Sequence, residues 1–103
     1  MKQYQGCRTN QGVRVTADNE PLKLRLDLRN HSPTGFEWGY EGSGAAQLAL
    51  AILADCVGDE LAIQHYQEFK RRIIARLSEP DWTLTENQVR EAVGILQENR
   101  ERS

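Results

Sequence analysis

Gly44 to Val57, GAAQLALAILADCV, is the longest nearly unbroken apolar run in the chain, interrupted by Gln47 and Asp55 alone. A surface helix shows one apolar stripe, whereas a helix apolar on nearly every side must be covered on nearly every side. The run is too short to span a bilayer, which takes roughly 20 apolar residues. Its alanines favour helix over buried strand. The pattern predicts a central core helix that closes at Gly58 in the left-handed conformation.

Upstream, the period changes from helical to two. Gln3–Arg8 reads as a weak strand, and Val13, Val15 and Ala17 alternate with Arg14 and Thr16 as in a half-buried strand. Asp18-Asn19-Glu20-Pro21 carries turn chemistry. Leu22, Leu24, Leu26 and Leu28 then alternate with Lys23, Arg25, Asp27 and Arg29, which predicts a strand with one leucine face buried. After the loop Asn30–Gly35, the alternation of Phe36, Trp38 and Tyr40 with Glu37 and Gly39 predicts a short fourth strand. Together these segments make an antiparallel meander that the central helix covers, with Ser43 as the helix N-cap.

Downstream, Asp59 is expected to cap a helix over 60–77, with Ala62, Tyr66, Phe69, Ile73 and Leu77 as its buried stripe. Trp82-Thr83-Leu84 reads as a short extended piece. Thr85-Glu86-Asn87-Gln88 has capping-box spacing, so a third helix starts near Glu86. Val89, Ala92, Val93 and Leu96 form its stripe, and the polar residues from Gln97 onward are expected to fray. The expected architecture is α+β: a small antiparallel sheet of three to four strands packed against three helices, one domain over residues 1–103.

Composition narrows the function classes. A formal charge of −2 argues against a strongly electrostatic nucleic-acid binder without excluding a local basic face. The polar start KQYQGCRTNQG predicts neither signal peptide nor membrane anchor. Cys7 and Cys56 are isolated, as reduced thiols of a cytoplasmic protein are. His31 and His65 share no ligand spacing with them, so no metal site is expected. No Ser-His-Asp or Cys-His arrangement is legible, and no cofactor is implied.

The stretch GFEWGYEGSGAAQLALAILAD, Gly35 to Asp55, resembles a family of small proteins of bacteria, archaea and their phages, known only as a domain of unknown function. The likeness runs from about Ser32 through Tyr66, Phe69 and Lys70 to Trp82 and Leu84, and GFEWGY-x-GSG-x-AQLALA carries it. Family members often have proline where this chain has Ala45, which fits a helix beginning at Gly44 or Ala45. The resemblance implies no activity. Its reach into phages implies an accessory or counter-defence role.

The chemistry-bearing residues converge where the aromatic loop meets the central helix. Glu37, Tyr40, Glu41, Gly42, Ser43, Gly44 and Gln47 are the candidate partner- or ligand-binding residues. Glycines before a helix start present backbone N–H groups to an anion; equally, they let loop and helix pack closely. Neither the P-loop nor the dinucleotide fingerprint is matched, and Glu41 stands where a nucleophile elbow needs glycine. Gln47, polar on a buried helix, either satisfies the backbone of the Gly-rich loop or reaches a ligand. Asp55, in the last turn, is expected to point outward or pair with an arginine. Lys70, Arg71, Arg72 and Arg76 are a possible basic face for phosphates, or a solvated helix surface.

The expected function is a non-enzymatic binding protein acting on another protein, as an accessory or inhibitor of phage or mobile-element type. The alternatives are a small-molecule or nucleotide binder at Gly42–Gly44 and a nucleic-acid accessory using the basic face. No membrane is expected as a partner, and monomer and homodimer both remain open.

Overall fold

The structure, a computed structural model, describes residues 2–102 and the side chains of residues 2–100. It has the α+β architecture that the hydrophobic pattern predicts: a four-stranded antiparallel sheet with three helices packed against it. The strands are β1 (Gln3–Thr9), β2 (Gly12–Ala17), β3 (Glu20–Pro21) and β4 (Asp81–Thr85), in the order β3-β2-β1-β4. The helices are α1 (Ser43–Val57), α2 (Asp59–Arg72) and α3 (Glu86–Arg102), with a 3-10 turn at Ile74–Arg76.

Alternation along β1 sets the layers. Tyr4 and Gly6 are buried on the inner face, whereas Gln3 and Gln5 are exposed on the outer one. On β2 and β4, Val15 and Trp82 join the inner face. Asp18 and Asn19 both take positive φ, at 49° and 70°, which makes the β2–β3 connection a type I′ hairpin turn. In α1, twelve residues from Gly44 to Cys56 are buried. Nine of them, all but Gly44, Gln47 and Ala51, join Tyr4, Val15, Trp38, Ala62, Phe69, Ile74, Trp82, Val89 and Val93 in one core. Asp55 is exposed, as its place in the last turn predicts. It accepts from the Tyr4 hydroxyl at 2.8 Å and from Lys2 Nζ at 3.0 Å, so its partners are a phenol and a lysine instead of an arginine. Burial first, then the Asp55 contact, pushes the Tyr4 phenol far above its usual pKa, and it stays a donor.

Two expected strands are absent. Leu22–Arg29 leaves the sheet after one more bond, Leu22 N to Val15 O at 3.0 Å. Pro21 has no N–H to continue the ladder, and Arg25 takes a φ of 59°. Leu22 and Leu28 still pack on the core, while Leu26 is exposed. Phe36–Tyr40 is also irregular, with Gly35 and Gly39 at φ 148° and 87°. The free edge of β1 is taken instead by β4, in the register Tyr4↔Leu84 and Gly6↔Trp82.

The helix ends also differ from expectation. Ser43 is the first helical residue, not the cap: Gly42 is the N-cap, and no side chain caps it. Gly58 closes α1 at φ 96°, ψ 164°, outside the left-handed helical region. It is also the N-cap of α2, and Asp59, expected to cap that helix, instead binds the Arg25 guanidinium. Arg25 sits between Asp59 and Asp27, and the Arg25 contact holds the Asp27 carboxyl below its usual range. α2 stops at Arg72, and its C-cap Ile73 turns the chain so that Ile74, missed by the 3.6-residue pattern, is fully buried. The capping box is present, with Gln88 N on Thr85 Oγ1 at 3.1 Å and Thr85 N on Gln88 Oε1 at 2.9 Å. α3 continues to Arg102 through the segment expected to fray, of which Ser103 lies outside the described residues.

Cys7 and Cys56 are unpaired. Reductant is therefore expected to leave the melting temperature unchanged; a drop of several degrees on reduction would reveal a disulfide.

Candidate functional site

The loop from Leu22 to Gly42 approaches the start of α1 closely enough that only glycine fits at position 44. A Cβ on Gly44 would lie 2.8 Å from Glu37 Cβ and 3.1 Å from Glu37 N, and one on Gly42 would lie 2.6 Å from Tyr40 Cε2. Close packing thus explains Gly44, whereas a side chain at 42 would meet only the exposed ring of Tyr40, which can swing aside. The first-turn amides of α1 have no side-chain cap, but Glu37 occupies the space beside Gly44.

Glu37 faces the sheet. Its Oε1 lies 2.8 Å from Arg8 Nη1, an ion pair whose angles fall short of a hydrogen bond. The Arg8 guanidinium stacks over Trp38, 4.7 Å from the ring centroid, a cation–π contact. Trp38 meets Trp82 edge-on, with centroids 5.5 Å apart and planes at 86°, and donates through Nε1 to Glu79 O at 3.0 Å. Trp82 lies across Gly6, where a Cβ would come within 2.3 Å of the indole. Phe36 is half-buried and Trp38 buried, so these two rings are core.

Tyr40 is different. It is 56% exposed, the most exposed of the three exposed large hydrophobic side chains among the described residues, and its ring rests on Gly42. Glu41 beside it lies 3.9 Å from Lys70 Nζ. A pair at that distance and exposure fixes little, so Tyr40 and Glu41 form an accessible aromatic–acidic tip.

Gln47 is completely buried and holds loop backbone, but not that of the Gly-rich loop. Its Oε1 accepts from His31 N at 2.8 Å and Ser32 N at 3.0 Å, and its Nε2 donates to Leu24 O and Arg29 O. It replaces with one side chain the strand ladder that residues 22–29 lack. His31 then reaches Tyr66, Nε2 to hydroxyl at 2.7 Å. Gln47 is thereby spent on structure and does not join Tyr40 and Glu41.

The four cations do not make one free face. Arg71 and Arg72 share Glu68, Lys70 turns to Glu41, and Arg76 stands apart on the 3-10 turn. Arg71 first, then Arg72, holds the Glu68 carboxyl below its usual range. Sequence reasoning did not single out Arg8 or the Trp38–Trp82 contact, because both depend on β4 pairing with β1. Gly6 within a strand was the available signal, since glycine there marks close approach. Among the described residues no three His, Cys, Asp or Glu side chains gather as a metal would need. No described helix is long and apolar enough to cross a membrane.

A twisted sheet covered on one face, and a buried helix entered from a glycine-hinged aromatic loop, define the class: a small α+β domain. The chain belongs to the family of unknown function DUF6166, whose profile matches residues 4–95. The match takes in β1 and β2 and most of α3, beyond the stretch from Ser32 to Leu84 that carried the resemblance. No curated protein and no solved structure matches the chain.

Proposed function

We propose that this protein is a non-enzymatic binding module that engages another protein through the tip formed by Tyr40 and Glu41. The observation that carries this reading is Tyr40: a large aromatic, 56% exposed, seated on Gly42 where the chain enters the rigid α1 helix. Aromatic residues such as tyrosine are among those on which protein interfaces concentrate their energy, and a packed element behind the loop keeps the geometry. Glu41 adds a charge that selects a basic partner. In a phage or mobile element, such a module acts in the cytoplasm as an accessory or counter-defence inhibitor. The nucleotide reading is weaker, because Glu37 fills the space beside Gly44 and places a carboxylate near the uncapped turn. The nucleic-acid reading is weaker too, since Lys70, Arg71 and Arg72 each stand beside an acid.

Tyr40→Ala combined with Glu41→Ala is expected to keep the wild-type melting temperature and weaken partner binding at least ~10-fold, about 1.4 kcal/mol. Calorimetry with the captured partner, and melting on the same samples, measures both. A double variant that binds as tightly as wild type places the interface elsewhere.

A further inference from the structure

After Tyr40, Ile95 is the most exposed large hydrophobic side chain among the described residues, at 48%. It stands on α3 at the rim of a groove of about 210 Å³, lined besides by Phe69, Arg72 and Ile73 from the end of α2 and by Ala92 and Leu96 from α3. Phe69 and Leu96 are buried and make the floor, while Ile73 and Ala92 are half-buried. Apart from Arg72, every side chain in the groove is apolar. Small-molecule sites usually enclose ~300–1,000 Å³, so this groove suits a protein side chain better than a ligand.

The two rims differ in charge. Glu91 and Glu98 lie four residues before Ile95 and three after it, and therefore on its side of α3. Both are exposed, and neither makes a hydrogen bond or ion pair among the described residues. Arg72 stands on the α2 side. Its Nε lies 3.2 Å from Glu68 Oε2, but Arg71 holds the same carboxylate. Two guanidinium groups thus share one negative charge, and the α2 rim stays positive. The other charges of α3 face elsewhere: Arg90 is held by Glu86 and by Cys56 O, and Arg100 lies at the far end of the α2–α3 contact, beside Gln64 and His65.

We propose that this face is the interface of a homodimer, in which Ile95 of each copy seats in the groove of the other about a two-fold axis. Such an axis passes through the groove and lays the α3 rim of one copy over the α2 rim of the second. Each Ile95 then covers apolar floor, and each acidic rim meets an arginine. Rims of opposite sign on either side of an apolar seam are self-complementary, which a two-fold interface requires. An unrelated partner would need the same two rims in reversed order, whereas a second copy carries them by construction. The formal charge of −2 opposes self-association only slightly. Lys70 and Arg72, two residues apart, face different sides of α2, and Lys70 stands toward Glu41. The dimer therefore leaves the Tyr40–Glu41 tip open and presents it twice; neither proposal depends on the other.

The test is sedimentation velocity of the whole chain from micromolar to submillimolar concentration, with melting measured on the most dilute samples. A mass that rises with concentration from 11.7 kDa to a plateau at about twice that value is the expected result. Ile95→Glu should weaken the dimer at least ~10-fold and leave the melting temperature unchanged. Arg72→Glu should weaken it likewise, by setting acid against acid, and adding Glu91→Lys with Glu98→Lys to that variant should restore it. Should Ile95→Glu fail to fold, the charge reversals carry the same test on fully exposed positions. Tyr40→Ala with Glu41→Ala should leave the dimer intact. A chain that remains at 11.7 kDa throughout, or one that forms larger aggregates without a dimer plateau, overturns the proposal. So does a dimer that Ile95→Glu leaves as tight as wild type, a reversal on both rims that fails to restore it, or dissociation by the variant at the tip.

Discussion

Gln47→Leu is expected to cost about 3 kcal/mol of stability, although it replaces a polar residue by an apolar one of similar size inside an apolar core. Transfer alone would predict a gain. The four hydrogen bonds of Gln47 reverse the sign, because the substitution strands His31 N, Ser32 N, Leu24 O and Arg29 O. Leaving a buried donor or acceptor unmade costs about 1–3 kcal/mol apiece. These backbone groups are partly buried, so water recovers some of that cost, and the sum settles near the figure given. Urea unfolding measures it, and hydrogen exchange should show the amides of His31 and Ser32 losing protection first. A change below ~1 kcal/mol would mean that the loop is held by its leucines rather than by the amide.

Leu50→Ala and Ile52→Ala should each cost about 2–5 kcal/mol, the range for large-to-small changes in a core that relaxes only in part. Both side chains are fully buried. They lie on a helix enclosed by the sheet, α2 and α3, so no side of the cavity is free to collapse onto solvent. If both variants left the urea midpoint almost where it was, α1 would not be the centre of the fold.

The legibility of the sequence divides along physical lines. α1 was readable because its apolar run leaves nothing else for that segment to be, and α3 because Thr85 and Gln88 write its start in four residues. Leu22 to Leu28 misled because alternation is a local signal, whereas a strand also needs a partner. Pro21 and the left-handed Arg25 deny it one, and Leu26 faces solvent. β4 was visible as an extended piece, yet nothing local says that it pairs with β1, some eighty positions earlier. The candidate site shows the same division. Tyr40 and Glu41 stood out by composition and proved accessible. Gln47 stood out as a polar residue in the core, but the loop that it holds was misjudged because the chain path was.

The pairing of β1 with β4 has a consequence for how the protein is made. β1 has left the ribosome's active centre by residue 9, but its second neighbour is not synthesised until residues 81–85. During the interval, the β1 edge that will face β4 carries unpaired backbone groups, the state in which strands join other chains. The hairpin with β2 can form meanwhile; the far edge cannot close. Slow codons between residues 58 and 80 would prolong that exposure. In crowded polysomes the hazard is a neighbouring nascent chain, whose own β1 is open in the same way at the same moment.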